Sequence, residues 1–172
     1  MERNDLVTFK GNPLTLVGEP LKTGHPIPDV ELVDVELNVK KLSEFFGPTL
    51  IVSTVPSLDT SVCSIQTKTF QDRAAELGDD VKIVTISADL PFAQKRFSDD
   101  AGTDRIAFLS DHRGLIFAKA SGLLIEELHL VARSVSIVDG SGTVRYHQLV
   151  NEMTNEPDYD DVLKAVRSGA TA

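Results

Sequence analysis

Short runs of alternating apolar and polar residues at the start of the chain predict β-strands. Residues 7–9 and 14–17 flank the sequence Lys-Gly-Asn-Pro at positions 10–13, which is rich in turn-forming residues. This arrangement predicts an N-terminal β-hairpin. Residues 30–39 then alternate Val and Leu with Glu, Asp and Asn, the period of half-buried strands. We expect them to form a second hairpin or a meander.

The middle of the chain predicts a strand, a helix and a second strand. Residues 49–55 form a β-branched run with little alternation, as in a strand that is covered on both faces. Residues 56–61 have the composition of a loop and a helix start, and apolar residues then recur at roughly helical spacing until Gly78. Residues 81–86 form another apolar run, so the helix is a crossover, normally right-handed, between parallel strands.

The second half of the chain adds elements of both kinds. Pro91 predicts a helix that runs to about residue 98. Residues 106–109, 134–138 and 144–150 predict strands, the last two joined by a tight turn at 139–142, and residues 158–167 predict a closing helix. The fold class is therefore α/β, a sandwich with a mixed central sheet flanked by helices. A length of 172 residues favours one domain, residues 1–172.

Composition and charge narrow the classes of partner. With 41% apolar and 25% charged residues, the chain is expected to be a soluble globular protein. A formal charge of -9 disfavours nucleic acid and anionic membranes, both of which bind mainly Lys and Arg. No apolar targeting region and no apolar run long enough for a membrane span is visible. A single cysteine favours a reducing compartment, so we expect a cytoplasmic protein.

The only cysteine, Cys63, falls at the predicted start of the first long helix, directly after a strand and loop. A lone cysteine is often a small buried hydrophobe, but a helix N-terminus favours the thiolate through its unpaired N–H groups and dipole. Thr60 is placed to cap this helix with its hydroxyl, or to reach the sulfur. Pro56 fixes the approach loop and removes an N–H group, so it can shield the cysteine.

Residues 56–63, Pro-Ser-Leu-Asp-Thr-Ser-Val-Cys, resemble the P-x-x-x-T-x-x-C signature of peroxiredoxins. Residues 87–97, Ser-Ala-Asp-Leu-Pro-Phe-Ala-Gln-Lys-Arg-Phe, together with residues 11–13 and 156–159, are similar to the thiol peroxidase subfamily. The resemblance covers essentially the whole chain and implies a thioredoxin-like, peroxiredoxin fold. It also implies that Cys63 is the peroxidatic nucleophile, that Pro56 shields it, and that Thr60 hydrogen-bonds both sulfur and peroxide.

The resemblance extends to an arginine. Residues 130–135, Leu-Val-Ala-Arg-Ser-Val, are similar to the subfamily stretch that supplies the active-site arginine at the start of a late strand. By itself Arg133 would be interpreted as a solvated strand end; beside the cysteine motif we assign it to the thiolate and the peroxide. The implied reaction reduces hydrogen peroxide or an organic hydroperoxide to water or an alcohol and leaves a cysteine sulfenic acid. It requires no metal or organic cofactor.

The chain departs from the subfamily at Ser98, which occupies the position of the resolving cysteine. A natural loss and an engineered replacement are both compatible with this serine. The sulfenic acid on Cys63 must then be resolved by an external thiol or by Cys63 of the partner subunit. Thioredoxin is the usual reductant in the family, and the resemblance implies a homodimer built through the surface near the active site.

Two other functions compete with the peroxidase. A redox-sensing or interaction domain without turnover, on the same scaffold, is favoured by the missing resolving cysteine. A Cys-His hydrolase or acyltransferase needs a histidine beside Cys63, and no G-x-C-x-G elbow surrounds that residue. The four histidines show no metal-ligand spacing, so no metal site is expected.

Overall fold

The computed structural model describes residues 1–168; the last four residues of the expected single domain, 169–172, lie outside the described part. In chain order its elements are β1 (Glu2–Phe9), β2 (Asn12–Val17), β3 (Glu31–Asp34), β4 (Val39–Lys41), a 3-10 helix (Leu42–Phe45), β5 (Thr49–Thr54), α1 (Ser61–Leu77), β6 (Val81–Ser87), α2 (Pro91–Ala101), β7 (Ile106–Ser110), α3 (Ile116–Ala120), β8 (Leu124–Ile125), β9 (Leu130–Val131), β10 (Ser134–Asp139), β11 (Val144–Leu149) and α4 (Tyr159–Arg167).

A seven-stranded mixed sheet forms the centre of the fold, in the order β11-β10-β5-β6-β7-β3-β4. Strands β5, β6 and β7 are parallel, while β10 pairs antiparallel with both β5 and β11. All six residues of β5 are buried, because both faces of this central strand are covered. The predicted βαβ unit and the α/β sandwich are confirmed.

Alternate residues of the central strands enter two apolar clusters, one on each face of the sheet. Ile51 of β5 packs in the cluster that includes Phe70 of α1 and Val162 of α4. Its neighbour Val52 points to the opposite face and joins a cluster with Leu16 of the N-terminal hairpin and Phe117 of α3. Successive side chains of a strand point to opposite faces, so β5 anchors both halves of the core.

The predicted N-terminal hairpin is confirmed, with a tighter turn than expected. Lys10 and Gly11 alone form the turn, with φ of 50° and 80°, and Asn12 and Pro13 belong to β2. Two central residues with positive φ are typical of a type I′ turn, whose twist matches that of the strands. The hairpin continues through β8 and β9 into a four-stranded sheet. These two-residue strands were not predicted, since they are too short to show a period.

Most predicted boundaries hold, and one helix is longer than expected. Helix α1 ends at Leu77, and Gly78 follows with φ of 84°. Helix α2 runs to Ala101 rather than to residue 98, and Gly102 ends it in the left-handed conformation, which glycine adopts without strain. Within residues 1–168, no helix has both the length and the apolar character that crossing a membrane requires.

Candidate active site

Cys63 is the third residue of α1, just past the end of β5 and its loop. It is free, and none of its surface is exposed. The sulfur belongs to the apolar cluster beneath α1, while the first turn of the helix directs unpaired N–H groups toward this end. The cysteine therefore combines an apolar surrounding with the positive end of a helix, as predicted for its position.

Arg133 lies between β9 and β10 in the chain and is 1% exposed. The interpretation as a solvated strand end is therefore wrong. Its Nη2 donates to Cys63 Sγ at 3.3 Å and to the Met153 carbonyl at 2.9 Å, and its Nη1 donates to Gln66 Oε1 at 2.7 Å. A buried cation is costly unless an anion compensates it. Among these three acceptors only the sulfur can carry a negative charge, and it lies 3.3 Å from the guanidinium.

Gln66 was missed by the sequence reasoning. It lies one turn after Cys63 on the same face of α1 and is completely buried. Its Oε1 accepts from Arg133, and its Nε2 donates to Ser53 Oγ at 2.8 Å. Because both ends of the amide are bonded, Gln66 holds one edge of the guanidinium in place. The spacing of three residues from the cysteine was the available signal, since residues i and i+3 of a helix are neighbours.

Thr60 and Pro56 lie in the loop that leads to Cys63. Thr60 is the N-cap residue of α1, but the predicted capping bond from its side chain is not formed. Its hydroxyl instead donates to the Ser57 carbonyl at 2.9 Å, and this turns the hydroxyl back toward the loop. The side chain is exposed, whereas Pro56 is buried. Both residues therefore lie in the loop that precedes α1, and no hydrogen bond joins the Thr60 hydroxyl to the sulfur.

Asp89, two residues after the end of β6, holds this loop in place. Its carboxylate accepts from the Ser57 hydroxyl at 2.7 Å, the Leu58 N–H at 2.8 Å and the Ser87 hydroxyl at 2.7 Å. The contact is possible because β5 and β6 are parallel neighbours and end at the same edge of the sheet. In the sequence Asp89 stands only as part of a motif, and nothing there predicts its contacts.

Ser98 lies in the last turn of α2 and is partly buried. Its hydroxyl accepts from the Thr103 hydroxyl at 3.1 Å, and its carbonyl accepts from the Thr103 N–H at 3.2 Å. The same side of Ser98 lines a surface recess with Val35 and Phe108. Ser98 therefore bonds to the end of its own helix and not to the residues around Cys63.

The arrangement is suited to nucleophilic chemistry at sulfur. A thiolate with a buried guanidinium beside it can attack an electrophilic oxygen, and the same guanidinium can stabilise the charge that leaves. Among residues 1–168, no group of three or more His, Cys, Asp or Glu side chains is placed to hold a metal ion. Since the sulfur is fully buried, a thiol carried by another protein can reach it only if the loop or the first turn of α1 moves.

The chain is similar to known proteins of one family along most of its length. The Redoxin family model matches residues 22–163. A thiol peroxidase of Bacillus subtilis is 46% identical over 162 residues, which cover 94% of this chain and 96% of that protein. A thiol peroxidase of Staphylococcus aureus is 42% identical, with coverages of 94% and 98%.

Solved structures agree with these relatives. A peroxiredoxin-like protein from Aquifex aeolicus is 39% identical with a TM-score of 0.87, and covers 97% of this chain and 98% of its own. A thiol peroxidase from Chromobacterium violaceum has a TM-score of 0.86 at 24% identity, with 95% of each chain covered. At 24% identity, the likeness to the Chromobacterium violaceum protein is evidence for the fold alone. The hairpin of β1 and β2 precedes the residues that the family model matches.

Proposed function

The chain belongs to the Redoxin family and is a peroxiredoxin-type thiol peroxidase with a thioredoxin-like fold, and we propose that Cys63 is the residue that attacks the peroxide. The carrying observation is the buried contact of 3.3 Å between Arg133 Nη2 and Cys63 Sγ. Because Cys63 is the only cysteine in the chain, no other thiol of the protein is available for the reaction.

The proposed reaction has one covalent step. The Cys63 thiolate attacks the terminal oxygen of the peroxide, the O–O bond breaks, and the leaving oxygen takes a proton to become water or an alcohol. Negative charge moves from sulfur to the leaving oxygen during this step. Arg133 is already fixed by Gln66 and by the Met153 carbonyl, so it can stabilise both charge positions with little rearrangement. Its Nε has no partner among the described residues, so this donor is available to a peroxide oxygen.

Thr60 and Pro56 are assigned supporting roles in the same step. The Thr60 hydroxyl donates to Ser57, so its lone pairs can accept a hydrogen bond from the O–H of an incoming peroxide. Pro56 is buried and has no N–H group. In its assigned role it shields the sulfur without offering a donor that would compete for the peroxide. Both roles place the peroxide between the loop and Arg133.

The test is turnover with a generic thiol. We expect the purified full chain to consume many equivalents of hydrogen peroxide in the presence of excess dithiothreitol, with a dimedone adduct of sulfenic acid at Cys63 when the thiol is withheld. Peroxide consumption is followed directly, and the adduct by mass spectrometry. Consumption that stops after one equivalent, despite excess thiol, would contradict an enzyme and favour a redox sensor on the same scaffold.

An external thiol is the proposed reductant, with thioredoxin as the protein candidate. The support is the serine at position 98, which leaves the sulfenic acid without a resolving cysteine in its own chain.

A homodimer through the surface near the site is the proposed assembly. Leu90 and Phe92 lie one and three residues after Asp89 and are 54% and 67% exposed, as expected of side chains that a second subunit covers. A reducing cytoplasm suits a chain that depends on external thiol.

Ser98→Cys is expected to create an intramolecular disulfide with Cys63 after peroxide treatment, and with it faster turnover by thioredoxin. A disulfide needs Cα atoms about 4.4 to 6.8 Å apart, whereas the two side chains occupy separate helices with different partners. Both positions are in terminal helical turns, which open at far lower cost than the whole domain. Non-reducing peptide mapping after one equivalent of peroxide measures the cross-link.

The control for this prediction is Glu76→Cys, which adds a thiol at the far end of α1. It lies thirteen positions after Cys63 in the helix, or roughly 20 Å at 1.5 Å per residue, so no cross-link should form. If Ser98→Cys also gave only free sulfenic acid, α2 would not open far enough to resolve Cys63, and the enzyme would operate with one cysteine alone.

A further inference from the structure

Glu152 ties the loop between β11 and α4 to the N-terminal hairpin. Its carboxylate accepts hydrogen bonds from the Thr8 hydroxyl at 2.6 Å, the N–H groups of Lys10 and Gly11 at 3.0 and 3.1 Å, and the Thr154 hydroxyl and N–H at 2.9 and 3.1 Å. These bonds, that of Thr8 above all, lower the pKa of Glu152 to about 2. The group is therefore ionised at neutral pH and acts only as an acceptor.

Backbone bonds on either side of Glu152 complete the attachment. The Thr8 N–H donates to the Asn151 carbonyl at 2.6 Å, and the Met153 N–H donates to the Thr8 carbonyl at 2.9 Å. One residue of β1 thus holds the positions before and after Glu152. The Met153 carbonyl and the Thr154 N–H belong to one planar peptide unit, so the bond of 3.1 Å from that N–H to the Glu152 carboxylate restricts where the Met153 carbonyl points.

The Met153 carbonyl is the link to the active site. It accepts from Arg133 Nη2 at 2.9 Å, and the same nitrogen donates to Cys63 Sγ at 3.3 Å. A shift of this carbonyl therefore shifts the donor that contacts the sulfur. Gln66 holds Nη1 from the other side, so the carbonyl and the amide together set the plane of the guanidinium.

We propose that Glu152 is a positioning residue through which the N-terminal hairpin fixes the Met153 carbonyl and thereby aims Arg133 at Cys63. This inference rests on the proposed roles of Arg133 and Cys63. The N-terminal hairpin lies outside residues 22–163, which the family model matches. In this proposal the hairpin therefore supports Arg133 from outside that part of the chain.

The decisive substitution is Glu152→Gln. Glutamine keeps the size of the side chain but replaces one acceptor oxygen with an NH2 group, which cannot accept from the N–H groups of the hairpin turn. We expect the second-order rate constant of Cys63 with hydrogen peroxide to fall about tenfold, since a misplacement of 1 Å in a catalytic group costs up to about 100-fold. The rate is measured on the full chain by rapid mixing, with detection of the sulfenic acid.

A matched control is Glu127→Gln. Glu127 also accepts from the hairpin, with both oxygens 3.0 Å from the Thr15 N–H, but it has no bond to the loop that carries Met153. Its substitution should leave the peroxide rate unchanged. Equal losses in the two variants would mean that any loosening of the hairpin slows the reaction, and would overturn a specific role for Glu152.

A double-mutant cycle separates positioning from a general structural effect. If Glu152 acts through Arg133, Glu152→Gln should cause no further loss in an Arg133→Ala background, because coupled residues are not additive. Multiplied losses would overturn the proposal. Thermal unfolding of each variant accompanies the rates. If Glu152→Gln does not fold, Thr8→Val enters the same cycle, because it removes the hydroxyl that donates to Glu152 at 2.6 Å and to the Asn151 carbonyl at 3.4 Å.

The same measurements distinguish the two levels of inference. A slow Arg133→Ala beside a fast Glu152→Gln overturns the positioning role and leaves the proposed function standing. A fast Arg133→Ala overturns the proposed role of Arg133 and, with it, the positioning role of Glu152, while the attack by Cys63 is tested separately by Cys63→Ser.

Discussion

Cys63→Ser is expected to reduce peroxide consumption to the uncatalysed rate of the thiol in solution while the fold is retained. The serine hydroxyl has nearly the size of the thiol, so the apolar cluster around position 63 stays filled, and its oxygen can still accept from Arg133. It cannot become a thiolate or a sulfenic acid, and the chain has no second cysteine to replace it. The expected loss is therefore that of the whole catalysed reaction.

Peroxide consumption in excess dithiothreitol measures this loss, and circular dichroism with thermal unfolding checks the fold. Ser98→Ala is the matched control, because it alters one hydroxyl outside the bonds around Cys63 and should keep full activity. Catalysed turnover that persists in Cys63→Ser would show that another group reduces the peroxide, and the assignment of the site would then be wrong.

Arg133→Ala is expected to slow the attack on peroxide by roughly 100- to 1000-fold, the range found when one preorganised donor to a developing charge is removed. The thiolate loses the guanidinium that contacts it, and the leaving oxygen loses a donor. Arg133→Lys should be intermediate. It keeps the charge, but one ammonium cannot reproduce the planar set of bonds to Cys63, Gln66 and Met153.

Stability must be measured separately for this variant. Removal of Arg133 leaves the Gln66 amide oxygen and the Met153 carbonyl without their donor, at a cost of about 1–3 kcal/mol for each buried acceptor. It also removes a buried charge, which offsets part of that cost. Urea unfolding gives the net effect, and stopped-flow mixing with peroxide gives the rate.

The control is Arg145→Ala, which breaks an ion pair of 2.6 Å with Asp139 at the other end of β10. Its peroxide rate should equal that of the parent chain. A parent-like rate in Arg133→Ala would contradict the assigned role and leave Cys63 as an isolated reactive thiol.

Local signals were sufficient for the core of the fold. The strand at residues 49–55 and the helix after it were visible because a buried strand lacks alternation and a helix repeats every 3.6 residues. Both signals lie within a window of ten to twenty residues. The strands β8 and β9 and the short helix α3 carried no such signal, because their lengths are set by the neighbours they pack against rather than by their own sequence.

The residues of the candidate site could be predicted from the local sequence only where they belong to a motif. Cys63 was identified from its position at a helix start, and Thr60 and Pro56 from the same eight residues. Arg133 lies seventy residues further along the chain and was found only through the family resemblance, since nothing in its local pattern separates a buried arginine from a solvated one.

The sequence by itself determined which thiol is available for a reaction and where it lies, because the chain has one cysteine and the residues around it specify a strand, a loop and a helix start. Only the tertiary structure decided what surrounds that thiol. Arg133 reaches Cys63 because β10 pairs with β5 in the sheet, and Glu152 approaches the site because the hairpin packs against the loop after β11. Such contacts join residues more than sixty positions apart. Their geometry depends on strand order and on packing of the whole core, and no local window of sequence contains either.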